Sequence, residues 1–179
     1  MIVRVKILFL LGLLAAAALE AGSTTDQEAR LGTSEQSRAS PIAGSEKRVV
    51  IRVIDGDTIV VSPNEKVRLI GVNTPETVHP KKPAECYGKE AKEFTRSTLE
   101  GKSIRLAFDE KRHQHKDKFR RTLAYAYLED GTMLNRELIR QGYAKAETRF
   151  RFDRLTEFVQ VERKAQDQGL GLWSSCPLR

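Results

Sequence analysis

The sequence predicts an α+β fold, a small closed β-barrel with helices packed on it. Three observations point there. From Arg48 the chain breaks into short β-branched runs punctuated by turn residues, and stretches of helical period bounded by glycines follow them. Their order is three strands, a helix, two strands and two helices, which suits a closed barrel with peripheral helices. Residues 48–179 are enough for one such domain and not for two.

Val49–Ile54, Thr58–Val61 and Lys66–Ile70 are the first three strands. Asp55-Gly56-Asp57 and Ser62-Pro63-Asn64-Glu65 supply turns between them, so consecutive antiparallel pairing is expected. After a loop holding Pro75, Pro80 and Pro83, the stretch Gly88 to Leu99 puts Ala91, Phe94, Thr95, Thr98 and Leu99 near one helical face, with Gly101 as the cap. Ser103–Phe108 and Thr122–Leu128 alternate as strands do and flank the charged loop Asp109–Arg121. Met133–Gln141 reads as a helix stopped by Gly142, and a last helix runs from Asp153, a candidate N-cap, to Gln168 before Gly169.

The N-terminal segment differs in kind. Residues 1–21 place Arg4 and Lys6 ahead of the apolar run Ile7 to Leu19 and then small residues, the order of a secretory signal. That run is shorter than the ~20 residues of a comfortable membrane span, so export to a secreted or periplasmic location is expected, an uncleaved anchor being the alternative. Residues 22–47 are rich in Ser, Thr, Gly, Ala and charge and read as a disordered linker.

Basic and acidic side chains balance within residues 1–47, so the whole surplus of +7 lies in residues 48–179. Such a surplus attracts polyanions and releases their counterions, which makes nucleic acid or an anionic surface the leading partner, while a merely soluble basic surface accounts for the charge equally well. The two cysteines, Cys86 and Cys176, have no partner at zinc-finger spacing. In an oxidising compartment an even pair forms a disulfide, here tying the C-terminal tail to the segment that opens the first helix; two unpaired thiols are the alternative.

Several residue types suit phosphodiester hydrolysis. That reaction needs a positioned water, a base or polarising group beside it, and cations around phosphorus. Asp57, just past a tight turn, projects a hard oxygen ligand from the start of a strand, although Asp-Gly alone marks only a hairpin. Arg68 lies on a strand that runs into Asn73-Thr74-Pro75-Glu76, and Arg121 stands at a strand entrance. A guanidinium there presents a planar fork to phosphate oxygens, where lysine presents a point charge. The ordinary alternatives are an arginine on a solvent face and a solvated basic loop.

The blocks Val53-Ile-Asp-Gly-Asp-Thr58, Val67-Arg-Leu-Ile-Gly-Val-Asn-Thr-Pro-Glu76, Tyr87-Gly-Lys-Glu-Ala91, Asp117-Lys-Phe-Arg-Arg121, Leu123-Ala-Tyr-Ala-Tyr127, Arg140-Gln-Gly-Tyr-Ala144 and Gly171-Leu-Trp-Ser174 resemble the staphylococcal nuclease, or thermonuclease, family, in order and at near-family spacing. The resemblance spans about residues 48–175. It implies a five-stranded OB-type barrel with three α-helices and a calcium-dependent nuclease, one Ca2+ per active site, cutting DNA and RNA. Single strands are the preferred substrate and a monomer without a stable membrane span is the expected mature form.

Residue by residue, the resemblance implies that Asp57 is the calcium carboxylate and that the backbone carbonyl of Thr74 completes the inner shell. Arg68 and Arg121 would hold the scissile phosphate, Glu76 would be the general base acting on the attacking water, and Lys118 would bind a substrate phosphate. Attack then expels the 5′ oxygen and leaves a 3′-phosphate. Asn73 departs from the family, standing where the reference enzyme has a second calcium-binding aspartate; it keeps an oxygen donor and loses a charge, so weaker calcium binding is expected. Phe119 replaces a phosphate-contacting tyrosine, and the nucleotide-stacking tyrosines have no clear equivalent around Phe150, which either stacks in their place or is an ordinary aromatic. His113-Gln114-His115 reads as an exposed loop ahead of a transition-metal pair, since no third ligand is near.

The main rival reading is a non-catalytic OB-fold module that binds nucleic acid. A degenerate module would shed the charged set, whereas Asp57, Arg68, Glu76 and Arg121 are all present. A third reading, a basic exported protein on anionic envelope polymers, rests on charge alone.

Overall fold

The computed structural model describes residues 45–81, 83–111 and 114–177. The expected signal at 1–21 and the linker up to residue 44 lie outside those residues, as does His113. The expected linker overlaps the barrel at its end, because Glu46 and Lys47 are already strand residues paired with Leu106 and Arg105.

Strands β1 (Glu46–Asp55), β2 (Thr58–Val61) and β3 (Glu65–Leu69) run antiparallel in succession. Two short strands, β4 (Val72–Asn73) and β7 (Lys145–Ala146), pair with each other away from the barrel and were not anticipated. Strands β5 (Ser103–Ala107) and β6 (Thr122–Tyr127) complete a closed barrel in the order β1-β2-β3-β6-β5. Closure depends on β1. Its first half pairs with β5 and its second with β2, and irregularities between Val50 and Arg52 and between Val53 and Asp55 bend it around the corner. On the other side β3 and β6 pair in parallel, Val67 opposite Thr122 and Arg68 opposite Leu123.

The four residues of β2 are all buried. Around the barrel lie α1 (Gly88–Leu99), α2 (Leu134–Arg140), α3 (Leu155–Asp167) and a single turn, α4 (Leu172–Ser175), beyond the three helices expected. Helix α1 buries Ala91, Thr95 and Leu99 at helical spacing, and Gly101 follows its C-cap with φ 76°, a left-handed conformation that glycine adopts without steric cost. Helices α2 and α3 close one end over Leu138, Ile139 and the fully buried Phe158.

Asp153 does not cap α3. The cap position is Arg154 without a side-chain bond, and the Asp153 carboxylate instead accepts the Glu110 N–H at 3.1 Å and the Lys111 ammonium at 3.0 Å. The long loop after β5 competes successfully for that carboxylate.

Candidate active site

The β1–β2 turn delivers Asp57. Its position is fixed from two sides: the Thr95 hydroxyl of α1 donates to the Gly56 carbonyl at 2.7 Å, and Thr74 lies directly against Gly56. A Cβ at Gly56 would sit 2.7 Å from the Thr74 methyl, so only glycine admits this approach. Asp57 is 7% exposed. Its Oδ1 accepts the Thr58 hydroxyl at 2.9 Å, and its Oδ2 accepts the Thr74 N–H at 3.0 Å and pairs with Arg68 at 3.0 Å.

Arg68 is a held residue and not a solvent-facing one. Its Nη1 donates to the carbonyls of Leu69 at 2.9 Å and Val72 at 2.8 Å while the other terminal nitrogen meets Asp57. Burial pushes the guanidinium pKa below its ordinary value, and the Asp57 carboxylate opposes that shift without overcoming it. Breaking such a buried pair from one side is costly, because the remaining charge has no water to turn to.

Arg121 reaches the same region from the loop before β6. The Asp117 carboxylate organises that loop, accepting the N–H groups of Phe119 at 2.9 Å and Arg121 at 3.0 Å and the Arg121 Nε at 2.7 Å. Arg120 takes a left-handed φ of 64° between them. Partial burial pushes the Asp117 carboxyl up, but these donors outweigh it and hold it below the usual carboxylate range. The parallel register of β3 and β6 then sets Arg121 next to the strand that carries Arg68.

Both arginines line one cavity of about 560 Å³, together with Lys118, Phe119 and Phe150. Phe119 is 67% exposed and Phe150 56%, and cations lie over both rings: Lys118 at 5.1 Å and Arg121 at 5.3 Å over Phe119, Arg149 at 5.8 Å over Phe150. Glu147, absent from the sequence-based set, lines the cavity too; bonding to Arg149 holds its carboxyl below the usual range.

The remaining expected residues are placed elsewhere. Asn73 and Thr74 border a second cavity of about 600 Å³, walled by Lys145, Trp173 and the Cys86–Cys176 disulfide, whose Cα atoms are 5.9 Å apart. Asp57 links the two regions through Arg68 and Thr74. Glu76 lines neither cavity: its exposed carboxylate accepts the Val78 N–H at 2.8 Å. Beside it stands Asp55, a buried carboxyl raised above its ordinary value by burial and then by Glu76, against the pull of the Thr77 and Gly56 donors. A turn aspartate hid that role, since turn chemistry already accounted for it.

The donors near Asp57 fit a hard divalent cation. All are oxygens, Asp57 Oδ1 is engaged only by a hydroxyl, and the buried Thr74 Oγ1 has no hydrogen-bond partner. The charge is low, however: among the described residues no group of three or more His, Cys, Asp or Glu is arranged to hold a metal ion.

The family described as staphylococcal nuclease homologue matches residues 66–175, more than half of the chain. The thermonuclease of Staphylococcus intermedius is 41% identical over 140 residues, covering 76% of this chain and 81% of the relative. The thermonuclease of Staphylococcus hyicus is 42% identical over 130 residues, covering 70% and 75%. Endonuclease YncB of Bacillus subtilis (strain 168) is 31% identical over 151 residues, covering 78% and 69%. An OB-type barrel with arginines gathered on one cavity is thus the body of a nuclease, a hydrolase acting on nucleic acid. The chain belongs to the staphylococcal nuclease family.

Proposed function

We propose that this chain is an exported, calcium-dependent nuclease that hydrolyses phosphodiester bonds of DNA and RNA with little sequence preference and leaves 3′-phosphates. The observation that carries the reading is the cavity shared by Arg68 and Arg121, with Asp57 held against Arg68 at its edge.

The two guanidiniums bind the scissile phosphate and oppose the charge that grows on its oxygens as phosphorus becomes pentacovalent. Arg121 suits this task because Asp117 engages its Nε and one terminal nitrogen, while Nη1 has no protein partner among the described residues. Arg68 brings charge from a fixed position, its Nη1 being committed to two carbonyls. Glu76 orients the attacking water and takes its proton as the 5′ oxygen leaves. Its carboxylate is exposed to solvent, accepting the Val78 N–H and standing beside the Asp55 carboxyl. Lys118 holds a neighbouring phosphate, and the exposed faces of Phe119 and Phe150 stack on bases, favouring single strands. Contacts of this kind go to phosphate and to base faces, which explains low sequence preference. Asp57, Asn73 and the Thr74 carbonyl would hold the calcium, which supplies Lewis-acid stabilisation of phosphate charge. Export is supported by the leader-like N-terminus and by the disulfide.

The test is cleavage of single-stranded DNA by the purified chain with calcium, then with chelator. Cleavage should vanish with chelator and fall by about 10²-fold or more in Glu76→Gln and Arg121→Ala. Tight DNA binding with no cleavage under any calcium concentration would replace this reading with that of a binding module.

A further inference from the structure

Glu76 sits on a loop whose return leg is tied to the far end of the chain. The Glu85 N–H donates to the Glu76 carbonyl at 2.8 Å, and the Glu76 N–H donates back to the Glu85 carboxylate at 3.2 Å. The next residue, Cys86, is bonded to Cys176, 90 residues away. Cys176 in turn is seated on the helical layer: its N–H donates to the Leu172 carbonyl at 3.1 Å, Leu172 is buried, and the Leu172 N–H donates to the Gly142 carbonyl at 2.9 Å. The start of α1 presses on the same loop, since a Cβ at Gly88 would lie 2.9 Å from the Pro75 carbonyl oxygen.

We propose that Glu85 and the Cys86–Cys176 disulfide form a positioning brace for Glu76, so that full turnover requires the oxidised cysteine pair. The proposal rests on the role given to Glu76 above. Without the covalent tie, the return leg keeps its two hydrogen bonds to Glu76 and the contact of Gly88 with Pro75, and water competes for the exposed bond to the Glu85 carboxylate. Cys86 is exposed, so a dithiol reaches it. A reductant thiolate attacks one sulfur and breaks the S–S bond; its second thiol displaces the mixed disulfide, leaving Cys86 and Cys176 as thiols and the reductant as a disulfide. A chain still inside a reducing compartment is then a slow enzyme toward the cell's own nucleic acid, and oxidation after export raises its rate.

The test measures kcat and KM on a single-stranded DNA oligonucleotide at saturating calcium, using the full chain. Oxidised protein is compared with protein reduced by dithiothreitol and alkylated, and with oxidised Glu85→Ala and Glu85→Gln. Reduction and Glu85→Ala should each lower kcat by about 10-fold or more while KM stays within about 2-fold, as for a displaced catalytic group. Glu85→Gln keeps an acceptor for the Glu76 N–H and should stay near the oxidised value, and air reoxidation before alkylation should restore the rate. Equal kcat in reduced and oxidised chains overturns the brace, as does full activity in Glu85→Ala. Collapse of the circular dichroism on reduction also overturns it, since the bond would then support the whole fold. Oxidised Glu76→Gln that still cleaves at the full rate instead removes the role of Glu76 itself, an outcome separate from those three.

Discussion

Asn73 and Asp117 are the two residues on which the candidate site turns. Asn73 offers a neutral oxygen beside Thr74 where a second carboxylate would add charge. Because calcium affinity follows ligand charge, Asn73→Asp should lower the calcium concentration for half-maximal cleavage by roughly 10-fold. An unchanged calcium titration removes Asn73 from the metal set. Asp117 gives a pH dependence. Its folded pKa lies below the unfolded one, so its contribution is complete above the ordinary carboxylate range and disappears as pH falls through the depressed value. Asp117→Asn should therefore cost about 1–2 kcal/mol at pH 7, with the wild-type and mutant denaturation curves converging in strong acid. A gap that persists there assigns the effect to something other than this ionisation. Of these two, the sequence singles out only Asn73, through its departure from a family motif. Asp117 gains its role when the loop closes back on Arg121, and an aspartate among lysines gives no local sign of that.

Among the elements, strand limits and helix periods were readable because turn residues and apolar spacing are local properties. The β4–β7 pair was not, being two residues a side and far apart in sequence. Neither was the join between α2 and the barrel. Asn135 is completely buried, its amide NH2 donating to the Ile70 carbonyl at 2.8 Å and its carbonyl accepting the Ala126 N–H at 2.9 Å. It serves backbone groups where β3 has ended and β6 continues. Asn135→Leu leaves both unpaired in the interior and should cost about 2–4 kcal/mol, read from the urea midpoint at unchanged slope. A loss under about 0.5 kcal/mol would mean that water reaches those groups.

On the scale of the whole molecule, charge and fold act together. The surplus of +7 falls outside residues 1–47, and Lys116, Lys118, Arg121 and Arg149 gather at one cavity. Binding of single-stranded DNA to Glu76→Gln should therefore weaken by about 10- to 50-fold between roughly 50 and 200 mM salt, the slope expected for a few released counterions. A flat salt response would place the DNA elsewhere.

The sequence by itself determined the barrel's strands, the helices that cover it and the residue types suited to phosphodiester chemistry, because period, turn chemistry and motif spacing are written within short stretches. Only the tertiary structure decided which of those residues meet. The parallel pairing of β3 with β6 put Arg68 and Arg121 on one cavity, the turn at Gly56 locked Asp57 to Thr74, and the disulfide, a pairing the two cysteines already suggested, came to lie beside the loop of Glu76. Each of these joins distant parts of the chain, and such contacts depend on closing long loops around a shared core, a global property that no local stretch of sequence carries.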